Sequence, residues 1–141
     1  MKVLFVCNAN VGRSQVAEAL FNQLSGEPAT SAGTVADEII DRTKPASRNL
    51  KDVGSSAITY MSEQGVNVSE SLRDQLTPQM VQEADKVIVM ADEDNWPDYL
   101  RNSGKAVVWT IEDTRGMGPD SARPLYDEIK RRVQELVGEA E

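Results

Sequence analysis

Near the start of the chain, Cys7-Asn8-Ala9-Asn10-Val11-Gly12-Arg13-Ser14 combines a thiol, a guanidinium and a hydroxyl at a spacing suited to holding a tetrahedral oxyanion. The run Val3 to Val6 before it is continuously apolar, as a buried strand would be. The segment Ser14 to Leu24 after it repeats Val16, Leu20 and Leu24 at i, i+4, as a helix does. Residues between a strand end and a helix start can curl into a ring of backbone N–H groups that suits an anion. The helix adds its own free N–H groups and the positive end of its dipole. Arg13 at the rim can grip two oxygens of one anion through its planar fork. Asn10 and Gly12 tolerate the left-handed backbone that such a ring demands. The residues expected to bind the oxyanion are therefore Asn8, Ala9, Asn10, Val11, Gly12, Arg13 and Ser14. Cys7 would lie beneath it, where the dipole, Arg13 and the Ser14 hydroxyl favour a thiolate that needs no separate base. A single cysteine at a strand end is commonly a small buried hydrophobe. The strand before it, the helix after it and the serine following the arginine set this one apart.

Composition narrows the chemistry further. The 141 residues suit one domain, expected to span 1–141. They include no histidine, which removes Ser-His-Asp triads, Cys-His dyads and histidine metal sites. With one cysteine there is no internal disulfide and no multi-thiolate metal site. No metal and no cofactor is expected. With 23 acidic against 15 basic residues the formal net charge is -8, which disfavours nucleic acid and anionic membrane surfaces as partners. An anion must therefore be bound by a local pocket. The opening MKVLFVCNANVGR has too short an apolar run for a signal peptide or for a membrane helix of about 20 residues. The expectation is a cytoplasmic protein, and a monomer.

Further elements must position the thiol and arginine. Ala29 to Ala32 reads as a weak strand ending at Gly33; Lys86 to Ala91 and Ala106 to Ile111 read as strands buried on both faces. Val35 to Asp52, which holds Pro45, reads as a long loop with a helical turn at Val35 to Ile40. Ser55 to Gln64 and Thr77 to Ala84 are expected helices, the second with Pro78 at its first position. Ser121 to Val137 places Leu125, Ile129, Val133 and Leu136 on one helical face, with Pro124 in its first turn. The order β-α-β-α-α-β-(α)-β-α implies an α/β fold: one doubly wound domain, a four-stranded parallel sheet with helices on both faces and a phosphate-binding loop after the first strand. Ligands in such sheets sit beyond the carboxyl ends of the strands. Cleaving a phosphate ester there requires a proton for the leaving oxygen. Glu112 and Asp113 follow the fourth strand and both qualify, with a slight preference for Asp113 on spacing. Asp120 reads as the N-cap of the last helix, and Asp92, Glu93 and Asp94 mostly as a solvated turn.

The chain resembles the low-molecular-weight protein tyrosine phosphatase family, whose fold is shared with the thioredoxin-linked arsenate reductases. The family signature C-x-G-N-x-C-R-S is matched at Cys7, Asn10, Arg13 and Ser14. Ser31-Ala32-Gly33-Thr34 resembles the family's S-A-G-T, and Trp109 to Val137 its C-terminal loop and helix. Asp113-Thr114 falls where the family carries an Asp-Pro pair whose Asp is the general acid. The resemblance implies Cys7 as nucleophile, Arg13 as oxyanion holder and Asp113 as acid and then base, through a cysteinyl-phosphate. It also implies a phosphorylated protein or small phosphomonoester as substrate, and inorganic phosphate and other oxyanions as ligands. Ala9 stands for the usual Gly, Gly12 for the usual second Cys, and Thr114 for the Pro. The last exchange is expected to loosen the acid loop. No aromatic residue follows Thr114 up to Gly118 or lies between Asp37 and Arg48; Trp96 and Tyr99 are open to either a pocket or a packing role.

Two other readings compete. An arsenate reductase of the thioredoxin-linked kind needs two more cysteines and is excluded; a single-cysteine kind using an external small thiol remains. A non-catalytic phosphate-binding module would need neither Cys7 nor Asp113.

Overall fold

A computed structural model describes residues 1–42 and 47–140. Its strands are β1 (Val3–Cys7), β2 (Thr30–Gly33), β3 (Lys86–Val89) and β4 (Ala106–Val108). Its helices are α1 (Arg13–Ser25), α2 (Ala36–Arg42), α3 (Leu50–Val53), α4 (Ser56–Glu63), α5 (Pro78–Glu83), α6 (Asp98–Arg101) and α7 (Pro119–Ala140). The four strands pair in parallel in the order β2-β1-β3-β4. β1 therefore lies inside the sheet, and all of its residues are buried.

The pleat sends alternate β1 side chains to opposite faces. Val3, Phe5 and Cys7 join the core built from α1, α4 and α7, which includes Leu20, Phe21, Tyr126, Ile129 and Val133. Leu4 and Val6 join a second core with Val81 of α5 and Leu100 of α6. Both faces are covered, as the continuous apolar run of β1 requires. Removing a side chain such as Leu20 or Ile129 from water is worth about 1.5–3 kcal/mol, so this double burial fixes where β1 ends and hence where Cys7 stands.

Several sequence expectations need correction. β4 ends at Val108, and Val107 and Val108 are 40% and 58% exposed. It is the edge strand, with no neighbour on its outer side, so an apolar run there did not mean burial on both faces. Its continuation at Trp109 and Ile111 does return to the core. Helix α7 begins at Pro119, so Asp120 is not its N-cap but a first-turn residue paired with Arg123 at 2.7 Å. Pro124 consequently sits in the second turn. The long loop expected over 35–52 carries α2 and α3 on either side of residues 43–46; Pro45 lies outside the described residues. No helix among the described residues is long and apolar enough to cross a membrane.

Candidate active site

The segment from Cys7 to Ser14 turns from β1 into α1 at the carboxyl edge of the sheet and lines a cavity of about 550 Å3. Among the described residues, none of the backbone N–H groups of Asn8 to Gly12 donates to a carbonyl or a side chain. Helix α1 begins without a side-chain cap, so its first turn also keeps free N–H groups for an anion.

Asn10 organises the loop. It is the one non-glycine residue with positive φ among the described residues, at 56°, and is fully buried. Its Oδ1 accepts from the Asp74 backbone N–H at 2.8 Å and from Gln15 Nε2 at 3.1 Å. A backbone N–H can only donate, which fixes the orientation of the amide. Nδ2 therefore donates to Ser14 Oγ at 2.7 Å and to Ser31 Oγ at 3.0 Å. With its oxygen already accepting from Asn10, Ser14 has one proton to give, and Cys7 Sγ lies 2.9 Å away. Sulfur and hydroxyl are thus within hydrogen-bonding distance, and either can donate.

Asn8 ties the loop to the turn after β3. Its Oδ1 accepts from the Asp92 N–H at 3.0 Å and its Nδ2 donates to the Asp92 carboxylate at 3.2 Å. Glu93 and Asp94 are exposed, as a solvated turn would be. Arg13 is buried, and its Nη1 donates to the carbonyl oxygens of Met90 at 2.5 Å and Ile111 at 2.8 Å. Those carbonyls follow β3 and β4, so two strand ends plant the guanidinium and leave its other edge available. Nη2 lies 3.7 Å from Asp113 Oδ1. Asp113 is 44% exposed and lines the same cavity as Cys7 and Arg13; Glu112 points to solvent outside that lining. Trp96 and Tyr99 belong to the second core, donating to the carbonyls of Ala91 and Leu76, and do not wall the cavity.

Two glycines act through space rather than through dihedral freedom. Gly12 has φ of −121°, so of the two residues that tolerate a left-handed backbone only Asn10 takes it. A Cβ at position 12 would stand 2.6 Å from Thr114 Oγ1 and 2.7 Å from the Tyr126 hydroxyl. A Cβ at Gly33 would stand 2.6 Å from the Asn8 carbonyl oxygen, so β2 ends in glycine where the loop crosses it. Thr114 is 6% exposed and bonded to Tyr126 at 3.1 Å. Where a looser loop was expected from Thr in place of Pro, the Thr114 side chain is buried and holds a hydroxyl contact to α7.

Sequence reasoning passed over the segment Leu72 to Leu76, which lies against the loop. Asp74 supports Asn10, and the Leu72 carbonyl accepts from Gln15 at 2.8 Å. Arg73 is 1% exposed and lines the cavity. Its longest-reaching groups meet only the carbonyls of Ser47 at 3.4 Å and Ala9 at 3.5 Å, and its Nε has no partner among the described residues. Burial, with Arg48 and Arg115 nearby, pushes its pKa below the ordinary arginine value. No periodicity or motif marks this segment; an arginine in an apolar-poor loop reads as solvated.

Residues 2–140 match the family model described as low molecular weight phosphotyrosine protein phosphatase. Arsenate reductase 1 of Staphylococcus haemolyticus is 26% identical over 138 residues, 95% of this chain and 92% of the relative. Among solved structures, the YwlE arginine phosphatase, as a C7S mutant with a phosphorylated active site serine, is 20% identical with a TM-score of 0.80, covering 99% of this chain and 95% of its own. Vibrio vulnificus Wzb in complex with benzylphosphonate is 22% identical with a TM-score of 0.79, covering 98% of this chain and 97% of its own.

Proposed function

The chain belongs to the low molecular weight phosphotyrosine protein phosphatase family, and from that premise we propose that Cys7, Arg13 and Asp113 carry out phosphomonoester hydrolysis through a cysteinyl-phosphate. Cys7 Sγ attacks phosphorus in line as the ester oxygen departs. Arg13 and the free N–H groups of Asn8 to Gly12 take the three equatorial oxygens, where charge accumulates in the transition state. Asp113, protonated, gives its proton to the leaving oxygen and then, as carboxylate, takes a proton from the water that releases phosphate. Each step conserves charge within the cavity: the proton given in the first half returns in the second.

The observation that carries this reading is the Ser14–Cys7 contact at 2.9 Å, with the Ser14 oxygen already accepting from Asn10. A hydroxyl at that distance can donate to the sulfur and so stabilise the thiolate that the attack requires. The substrate is a phosphorylated protein or a small phosphomonoester, with phosphotyrosine as the family's default, and the setting cytoplasmic. Val11, Ile39, Val53 and Met117 give the cavity apolar walls that suit an aryl group. Arsenate reduction is a second reading, favoured by the Staphylococcus haemolyticus relative. It would need an external small thiol, because Cys7 is the sole cysteine.

Cys7→Ser should abolish turnover of p-nitrophenyl phosphate yet still bind phosphate. Asp113→Asn should lower kcat about 100-fold for phenyl phosphate and much less for p-nitrophenyl phosphate, whose leaving group needs no proton. Full activity in the serine variant would remove the nucleophile assignment. Turnover of phosphotyrosine, phosphoserine, phosphoarginine and arsenate with added thiol, side by side, separates the substrate classes.

A further inference from the structure

Below the anion loop, four segments of the chain converge on hydroxyl groups. The ring of Tyr126, on α7, is fully buried in the main core. Its phenolic oxygen lies 3.1 Å from Thr114 Oγ1 and 2.9 Å from Ser56 Oγ, at the start of α4. Ser55, next to it, donates to the Val11 carbonyl at 2.7 Å and so ties α4 to the anion loop. Gly12 completes the arrangement by leaving the space that a side chain would take from Thr114 and Tyr126. A run of three hydroxyls, each with one proton and spare lone pairs, satisfies itself along the chain. Removing one link leaves a buried polar group without its partner.

This cluster matters because of what it is attached to. Thr114 directly follows Asp113 and is the one buried residue between Glu112 and Gly118. Among the described residues, Asp113 itself has only the Arg115 backbone N–H at 3.0 Å and the Arg13 guanidinium at 3.7 Å. Neither contact fixes a half-exposed carboxyl in place. The hydroxyl anchor one residue away does, because it sets the backbone from which the carboxyl projects.

We propose that Tyr126 is a positioning residue for the acid: its hydroxyl latches Thr114, which aims Asp113 into the Cys7 cavity, and glycine at position 12 makes room for the latch. The proposal rests on the assignment of Asp113 as general acid. It makes Gly12, Thr114 and Tyr126 one unit, in which the exchange of the family's second cysteine for glycine and of its proline for threonine are two halves of the same change. Burial pushes the Tyr126 pKa up, so the phenol stays protonated as a donor throughout the working pH range.

The test uses the full chain with Tyr126→Phe, Thr114→Val and Thr114→Ser, read out by leaving-group dependence and by hydrogen exchange. Tyr126→Phe and Thr114→Val should lower kcat for phenyl phosphate about tenfold, the scale expected for a slightly misplaced group. p-Nitrophenyl phosphate should suffer less than about a threefold loss, because its departure does not need the acid. Thr114→Ser keeps the hydroxyl and should stay close to wild type. In an Asp113→Asn background, Tyr126→Phe should cost nothing more, since the two act through one group. Amides from Glu112 to Gly118 should exchange faster in Tyr126→Phe while those of β1 and α1 do not. Equal losses on both substrates, additivity with Asp113→Asn, or unchanged exchange in that segment would overturn the latch. Faster exchange without any leaving-group signature in Asp113→Asn would overturn the acid assignment and leave the latch standing.

Discussion

Asn10 uses all four hydrogen-bonding positions of its amide inside the protein, whereas Asp113, across the cavity, has one backbone N–H and a guanidinium 3.7 Å away. The same contrast runs along both loops. From Cys7 to Ser14 polar side chains are held by residues just after β3 and β4, by Ser31 and by the Leu72 to Leu76 segment. From Glu112 to Gly118 only Thr114 is buried, with Met117 partly packed against the main core. A transition-state binding site works best when its dipoles are fixed before the substrate arrives, because no reorganisation then occurs during the reaction. Under the proposed mechanism Asp113 must meet leaving groups of differing shape and exchange protons with water between half-reactions, which suits a half-exposed carboxyl on a tethered backbone.

The largest effect that would break this contrast lies at Arg13. Its Nη1 is committed to the Met90 and Ile111 carbonyls, and its other edge is left for the anion. A lysine has a single ammonium and cannot serve both ends. Arg13→Lys should therefore lower kcat/KM for aryl phosphates by about 100- to 1,000-fold, the scale of losing a preorganised donor. A loss under about tenfold would show that the anion loop does not depend on the fork.

The two loops also differ in how far their parts could be read before any coordinates. The thiol, the arginine and the serine were legible because a strand, a turn and a helix are contiguous there, and local spacing fixes who faces whom. So were β1, α1, α4 and α5, each with a clear apolar period or a proline at its start. Asp113 was singled out only by its place after the fourth strand and by resemblance. Thr114 was noted only as a departure from the family's Pro and Tyr126 was passed over, because their contact joins residues twelve apart across a loop and a helix, and only folding brings them to Gly12. Asp74 and Arg73 were missed for the same reason, being brought to the loop from 64 residues away. The exposed side of β4 was misread because an edge position depends on strand order, and the apolar run of Val107 and Val108 does not reveal it.

A second, smaller effect concerns stability. Asn10→Ala removes four internal hydrogen bonds, leaves the Asp74 N–H without its partner and places a methyl group at positive φ. The expected cost is about 2–3 kcal/mol, measured as the loss in urea-denaturation free energy. Asn10→Gly should recover about 1 kcal/mol of that, since glycine relieves the left-handed strain and nothing else. Asp113→Asn, in contrast, should change stability by less than about 0.5 kcal/mol, as for other exposed sites. If the two loops responded alike, the claim that one is fixed and the other merely tethered would fail.

The smallest effect concerns pH. Behind the anion loop, on α1, Glu18 interacts with Ser31, the same serine whose oxygen accepts from Asn10. Burial raises its pKa from 4.5 to about 7; hydrogen bonds from Ser31 oppose the rise and the charge of Asp74 adds to it. A carboxyl whose pKa is higher folded than unfolded favours the folded state fully below pH 4.5. That contribution is lost as pH climbs through about 7. Asp74 is shifted upward by burial too, so it slopes the same way. Glu128, held near 2 by Arg131 and Arg132, has already reached its plateau above pH 4.5 and adds no slope. The wild-type urea midpoint should therefore fall between pH 5 and pH 8, and Glu18→Gln should flatten that fall in part, leaving the share due to Asp74. The hydroxyl latch beneath the acid loop has no group that titrates in this window, so the exchange rate of amides 112 to 118 attributable to latch opening should follow pH only through the intrinsic chemistry of exchange. Parallel pH curves for wild type and Glu18→Gln would mean that the support of the anion loop is as insensitive to protons as the latch.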